Sequence, residues 1–144
     1  MAALHDGKVV AAFLLFAAGF ASAQDKPPGY RLGDAASPTE YTVQLSIDPR
    51  EPTFTGEARV AFRVKTAAPI VWMHSKRLLI QSVEVSQGDR KVPVDVVASG
   101  EDYLGLKATG APFAAGDATA VFRYVGAIDP LAYRGLFRQQ EAGE

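Results

Sequence analysis

Tyr41-Thr42-Val43-Gln44-Leu45-Ser46-Ile47-Asp48, then Pro49-Arg50-Glu51-Pro52, then a second run from Phe54 to Lys65: this stretch decides the fold class. In the first run Tyr41, Val43, Leu45 and Ile47 share one parity and polar residues take the other. In the second, Phe54, Ala58, Val60, Phe62 and Val64 alternate with Thr55, Glu57, Arg59, Arg63 and Lys65. Successive side chains of a strand point to opposite faces, so each run is a ribbon with one apolar and one wet face. The two prolines between them hold φ fixed and offer no ladder donor, which ends one strand before the next begins. The spacing predicts strands over residues 41–48 and 54–65, on a sheet that covers a core. Both Leu45 and Phe62 fall on the parity expected to be buried, and Gln44 and Arg63 on the wet one.

Working outward, Pro69 breaks the chain before a short strand at residues 70–75, with Ile70, Trp72 and His74 on one side and Val71 and Met73 on the other. Residues 78–85 form the next extended run, and a turn at 86–90 holding Gly88-Asp89 leads into 91–97. Pro93 removes a donor there, which places that strand at an edge. Gly100-Glu101-Asp102 is a second turn, followed by a short strand at 103–107. Gly110, Pro112 and Gly116-Asp117 make a loop before the last clear strand, 118–125, where Phe122 and Tyr124 oppose Val121, Arg123 and Val125. No helical periodicity occurs beyond the N-terminal segment. Several short, mostly antiparallel strands between turn signals make an all-β sandwich.

The N-terminal segment reads differently. A short start carrying Lys8, an apolar run over residues 9–20 and the small-x-small site Ala21-Ser22-Ala23 have the layout of a secretory signal peptide. The organisation expected is a signal peptide at 1–23, a Pro- and Gly-rich lead at 24–38 and a β-sandwich domain at 39–144, exported to the periplasm or the cell exterior. The chain has no Cys, so it makes no disulfide, thiolate metal site or lipid-anchoring thioether. Its 15 basic and 16 acidic residues are interspersed, which gives no electrostatic case for nucleic acid or, after signal cleavage, for a membrane surface.

Catalytic patterns are missing. A zinc hydrolase helix needs two His one turn apart with a Glu beside the first, whereas this chain has His5, in the signal segment, and His74, in a strand. Neither Gly-x-Ser-x-Gly nor Ser-x-x-Lys occurs, and no phosphate loop is present. His74 shares a strand face with Ile70 and Trp72, which suits a structural role needing one hydrogen-bond partner. Glu101-Asp102 beside Gly100 reads as a solvated turn rather than an acid–base couple. Trp72, Tyr103, Phe122 and Tyr124 could stack on a sugar, but on alternating strands they fit packing better. Arg134 and Arg138, flanking Leu136-Phe137, could take an anion or simply be loop cations. No catalytic, cofactor-binding or metal-ligating residue is assigned.

Several segments together carry a resemblance. Tyr30-Arg31-Leu32, Pro38-Thr39-Glu40-Tyr41, Ile47-Asp48-Pro49 and Thr53-Phe54-Thr55-Gly56-Glu57-Ala58 come first. Trp72-Met73-His74-Ser75-Lys76, Phe122-Arg123-Tyr124-Val125-Gly126-Ala127-Ile128 and Gly135-Leu136-Phe137-Arg138 follow in order. The set resembles the start of the zinc aminopeptidases of the aminopeptidase N family (gluzincins). The resemblance implies a saddle-shaped N-terminal β-domain, here incomplete, whose partner is the catalytic domain of a longer enzyme. The family's Gly-Ala-Met-Glu-Asn loop and His-Glu-x-x-His helix are not in this sequence, and its Gln from a Thr-Gln-Phe-Glu-like segment has no counterpart in Gln139 or Gln140. Zinc, peptide substrate and catalysis therefore belong to the full-length family, and this chain is expected to be inactive alone. The resemblance also implies an uncovered strand edge and apolar area that invite association. The alternative is a free-standing secreted β-sandwich that binds a protein or glycan.

The leader reading predicts an exported chain that begins at Gln24. N-terminal sequencing of the secreted product checks this, and a membrane-bound product retaining Met1 would show an anchor instead.

Overall fold

Proline and parity set the boundaries of the strands, and long-range pairing assembles them. The structure is a computed structural model that describes residues 29, 32–99, 102–128, 136 and 137. The leader, Tyr30, Glu101, Arg134, Arg138, Gln139 and Gln140 lie outside the described residues. Eight strands follow in chain order: β1 (Ala36–Ile47), β2 (Thr53–Val64), β3 (Ile70–His74), β4 (Leu78–Gln87), β5 (Arg90–Lys91), β6 (Val94–Ser99), β7 (Tyr103–Ala108) and β8 (Gly116–Ala127). They form a five-stranded sheet in the order β1-β2-β8-β4-β5 and a three-stranded sheet in the order β3-β7-β6. Every strand pair is antiparallel, and no helix occurs among the described residues. The all-β, sandwich-like fold is as expected.

Most boundaries shift by one or two residues from the sequence reading, and three differences bear on the pairing. The first strand begins at Ala36 rather than Tyr41, because Ala36, Ser37 and Pro38 pair with Val64, Arg63 and Phe62 before a bulge between Pro38 and Glu40. A proline is tolerated there because β1 is an edge strand and a bulge absorbs the register shift. The single strand expected at 91–97 is two strands, β5 in the large sheet and β6 in the small one. Pro93 lies at the crossing between them, where its carbonyl accepts the Thr109 N–H at 3.0 Å. The last strand is longer at both ends, since Gly126 still pairs with Phe54 on one side and Leu78 on the other.

Turns between these strands have local causes. The Asp48 carboxylate accepts the backbone N–H of Arg50 at 3.0 Å and takes its guanidinium at 2.9 and 2.6 Å, which closes the β1–β2 hairpin. The guanidinium first, and the backbone N–H second, hold the Asp48 carboxyl below its ordinary range. Gly88 turns β4 into β5 at φ 58°, a left-handed conformation that costs a residue without Cβ little. The loop before β8 is held by Gln87, whose amide donates to the Ala114 carbonyl at 2.8 Å and accepts the Ala114 N–H at 3.0 Å. That side chain pairs with the loop as a strand backbone would.

Between the sheets lies one core. Val60, Phe62 and Val64 of β2, Ala118, Ala120 and Phe122 of β8, Val85 of β4, Val71 of β3 and Leu104 and Leu106 of β7 are buried in it with Phe113. Small residues on β8 make room for large ones: Ala118 is opposite Phe62 and Ala120 opposite Val60. Phe62 then meets Phe113 edge-on, with ring centroids 6.4 Å apart. The opposite face of the large sheet is wet. On it Arg63 pairs with Asp117 at 2.9 Å and Arg123 with Glu57 at 3.0 Å, each directly across the ladder.

The small sheet covers only part of the large one. Tyr41, Val43, Leu45 and Ile47 lie on the inward parity, as the alternation requires, yet they are 64%, 52%, 49% and 44% exposed. The expected burial of Leu45 is therefore corrected: parity names the face, but this end of it stays half exposed. At this end the sheet covers itself. The Tyr124 ring lies across Gly56, where an added Cβ would come within 2.5 Å of it, and the Phe54 ring lies across Gly126. The two rings meet edge-on at 6.4 Å, and burial pushes the Tyr124 phenol up.

Thermal and denaturant melts should separate these positions. Phe62→Ala is expected to cost about 3–5 kcal/mol. Leu45→Ala removes half-exposed methylenes and should cost about 1 kcal/mol, and Arg63→Ala about the same or less. Gly126→Ala should cost about 1–3 kcal/mol, because the Phe54 ring must lift from the sheet. Equal losses for Phe62→Ala and Leu45→Ala would contradict the one-sided cover.

Candidate functional site

The aromatic and ionisable residues singled out in the sequence separate onto different faces. Strand β3 presents Val71 and Met73 to the core, so Ile70, Trp72 and His74 fall on the outer face of the small sheet. Their cross-strand partners are Lys107, Gly105 and Tyr103. Gly105 is the floor of this patch: a Cβ there would come within 2.7 Å of Ile70 and 2.9 Å of Trp72, so both side chains lie across it. The exposed His74 ring rests beside Tyr103, with centroids 5.1 Å apart and planes tilted by 37°. The Tyr103 hydroxyl donates to the Gly29 carbonyl at 3.1 Å, which ties the lead segment to this face. A glycine inside a strand signals close approach of another group, so Gly105 was a legible pointer to the Trp72 packing. The Gly29 contact had no signal in the sequence.

Phe122 and Tyr124 are buried on the inner face of the large sheet, in the other layer. The four aromatics therefore do not form one stacking platform. Asp102 pairs with Lys76 at 3.2 Å, both side chains largely in water, and its carbonyl accepts the Ser75 N–H at 2.9 Å. That is the solvated turn, held to the end of β3. Exposed ion pairs of this kind contribute about 0–1 kcal/mol.

A cleft of about 350 Å³ opens where the lead passes the edge of β3, lined by Asp34, Pro38, Tyr41, Phe62, Trp72 and His74 among others. Its walls are mostly apolar and its few polar groups are exposed. A shallower hollow over β1 and β2 is floored by Gly56 and edged by Leu45, Gln81 and Tyr124. Among the described residues no group of three His, Cys, Asp or Glu side chains is placed to hold a metal ion. The arrangement can pack against another surface.

Known proteins give this β-domain a context. Residues 37–144 match the peptidase M1 N-terminal domain, from the second residue of β1 through the whole of β8. A puromycin-sensitive aminopeptidase of Caenorhabditis elegans is 29% identical over 112 residues, covering 76% of this chain and 12% of that protein. The chain thus spans a small fraction of the relative's length. The order of strand segments that suggested an aminopeptidase N-type β-domain, the all-antiparallel fold and the extent of the match agree, and the chain belongs to the peptidase M1 N-terminal domain family.

Proposed function

We propose that this chain is the non-catalytic N-terminal scaffold of an exported zinc aminopeptidase, the longer enzyme removing N-terminal residues from peptides. The observation that carries this reading is the family match across residues 37–144. It is supported by the way the side chains of chemical interest are used. Trp72 covers a glycine, His74 rests on Tyr103, Asp102 closes a turn, and Phe122 and Tyr124 fill the core.

The zinc of such enzymes does not fit the donors of this chain. It has two His and no Cys, and His74 lies on an exposed strand face without carboxylates clustered beside it. A tetrahedral zinc site needs three or four such ligands converging on one point. The metal-activated water and the peptide therefore belong to the catalytic domain, which is the partner of this one. What this domain contributes is rigidity: two packed sheets that hold a wall in place. The signal-peptide layout of residues 1–23 supports placing the enzyme in the periplasm or at the cell exterior.

Two measurements test the reading. The purified chain is expected neither to hydrolyse aminoacyl-anilides nor to bind zinc stoichiometrically; zinc-dependent release of amino acids by a clean preparation would overturn it. Sequencing the transcript past the codon for Glu144 is expected to reveal a downstream His-Glu-x-x-His. A stop codon with no such sequence would favour a free-standing binding module.

A further inference from the structure

The layout of residues 1–23 puts the cut between Ala23 and Gln24, so the residue it leaves at the new N-terminus is a glutamine. A glutamine in that position carries its own electrophile. Its α-amine and its side-chain amide carbon can close a five-membered ring, and the closure needs no other residue and no feature of the fold. With both groups in one residue the step is unimolecular, the situation in which proximity counts most. An α-amine titrates at about 7.7–8.0, so a usable fraction of it is the neutral nucleophile near neutral pH. A glutamine anywhere else in a chain has no free amine and cannot take this step.

We propose that Gln24 is a modification site, and that the exported chain carries pyroglutamate there as a block against aminopeptidases. In the step the Gln24 α-nitrogen bonds to its own Cδ and the Cδ–Nε2 bond breaks. The amide nitrogen leaves as ammonia, taking the proton that the amine gives up, and no oxidant or co-substrate is needed. The product is a neutral lactam, so the chain loses one ammonia in mass and the positive charge at its end. The residues that follow suit the same purpose. Asp25 and Lys26 lead to Pro27-Pro28, and the Lys26–Pro27 bond is a tertiary amide with no N–H. Gly29, next in order, is tied to the domain through the Tyr103 hydroxyl at 3.1 Å. The stretch ahead of that anchor is thus closed at its first residue and backed by prolines. An exported enzyme that removes N-terminal residues meets its own N-terminus as well, and a lactam presents no amine for such a site to hold. The inference rests on the leader reading; the ring closure itself does not depend on the family.

The exported product, harvested without prolonged incubation, digested and read by mass spectrometry, should give an N-terminal peptide that begins at Gln24 and is lighter than its unmodified form by one ammonia. Stepwise sequencing of the intact product should be blocked, and should start at Asp25 after treatment with a pyroglutamate-specific peptidase. A broad-specificity aminopeptidase should leave the product intact. It should shorten Gln24→Glu, whose carboxylate resists attack by the amine, and stop ahead of Pro27. Equal trimming of the parent and Gln24→Glu would overturn the block. A product that begins at Gln24 with a free amine would overturn the closure and leave the leader reading standing; one that retains Met1 would overturn both.

Discussion

The five-stranded sheet exists because β8 runs between β2 and β4. Those two strands do not pair with each other; each pairs only with β8 on its inner side, over nearly its whole length. Before β8 arrives, the chain can form the β1–β2 and β4–β5 hairpins and little that joins them. The residues β8 brings are matched to that position. Ala118 and Ala120 lie under the large side chains of the core, while Phe122 and Tyr124 supply the bulk where the small sheet no longer reaches. A fold closed by pairings across sixty residues or so has a high contact order, and such topologies fold slowly because loop closure must precede the contacts that reward it.

The crossings depend on the same closure. The chain passes between sheets after β2, β3, β5 and β7, and each passage is pinned by backbone pairing at its ends. Ala68 and Phe113 exchange two hydrogen bonds at 3.0 and 3.1 Å, which fastens the β2–β3 and β7–β8 connections to each other. That bridge also carries Phe113 into the core against Phe62. One contact thus links sheet topology to the best-packed part of the interior.

Cover is asymmetric, and the asymmetry organises what the domain can do. Where the small sheet lies over the large one, apolar side chains are dry and the layers are locked. Where it does not, aromatic rings lie on glycines of the neighbouring strand and conceal the backbone, an arrangement that limits but does not remove apolar exposure. A domain built this way leaves apolar side chains open to contact at one end.

Much of this was written in residue order. Period-2 alternation pointed to strands at residues 41–48, 54–65 and 118–125 and to which side chains share a face, because parity is a local property of an extended backbone. Pro93 marked a place where a ladder could not continue, and ordered segments such as Thr53-Phe54-Thr55-Gly56-Glu57-Ala58 pointed to the family. The tertiary structure alone decided which strands are neighbours, that Pro93 is a crossing between two sheets, that Leu45 is half exposed while Phe62 is 2% exposed, and that Trp72 and Tyr124 lie in different layers. Alternation states which residues face the same way; what lies over them depends on pairings between distant segments, and no local pattern encodes those.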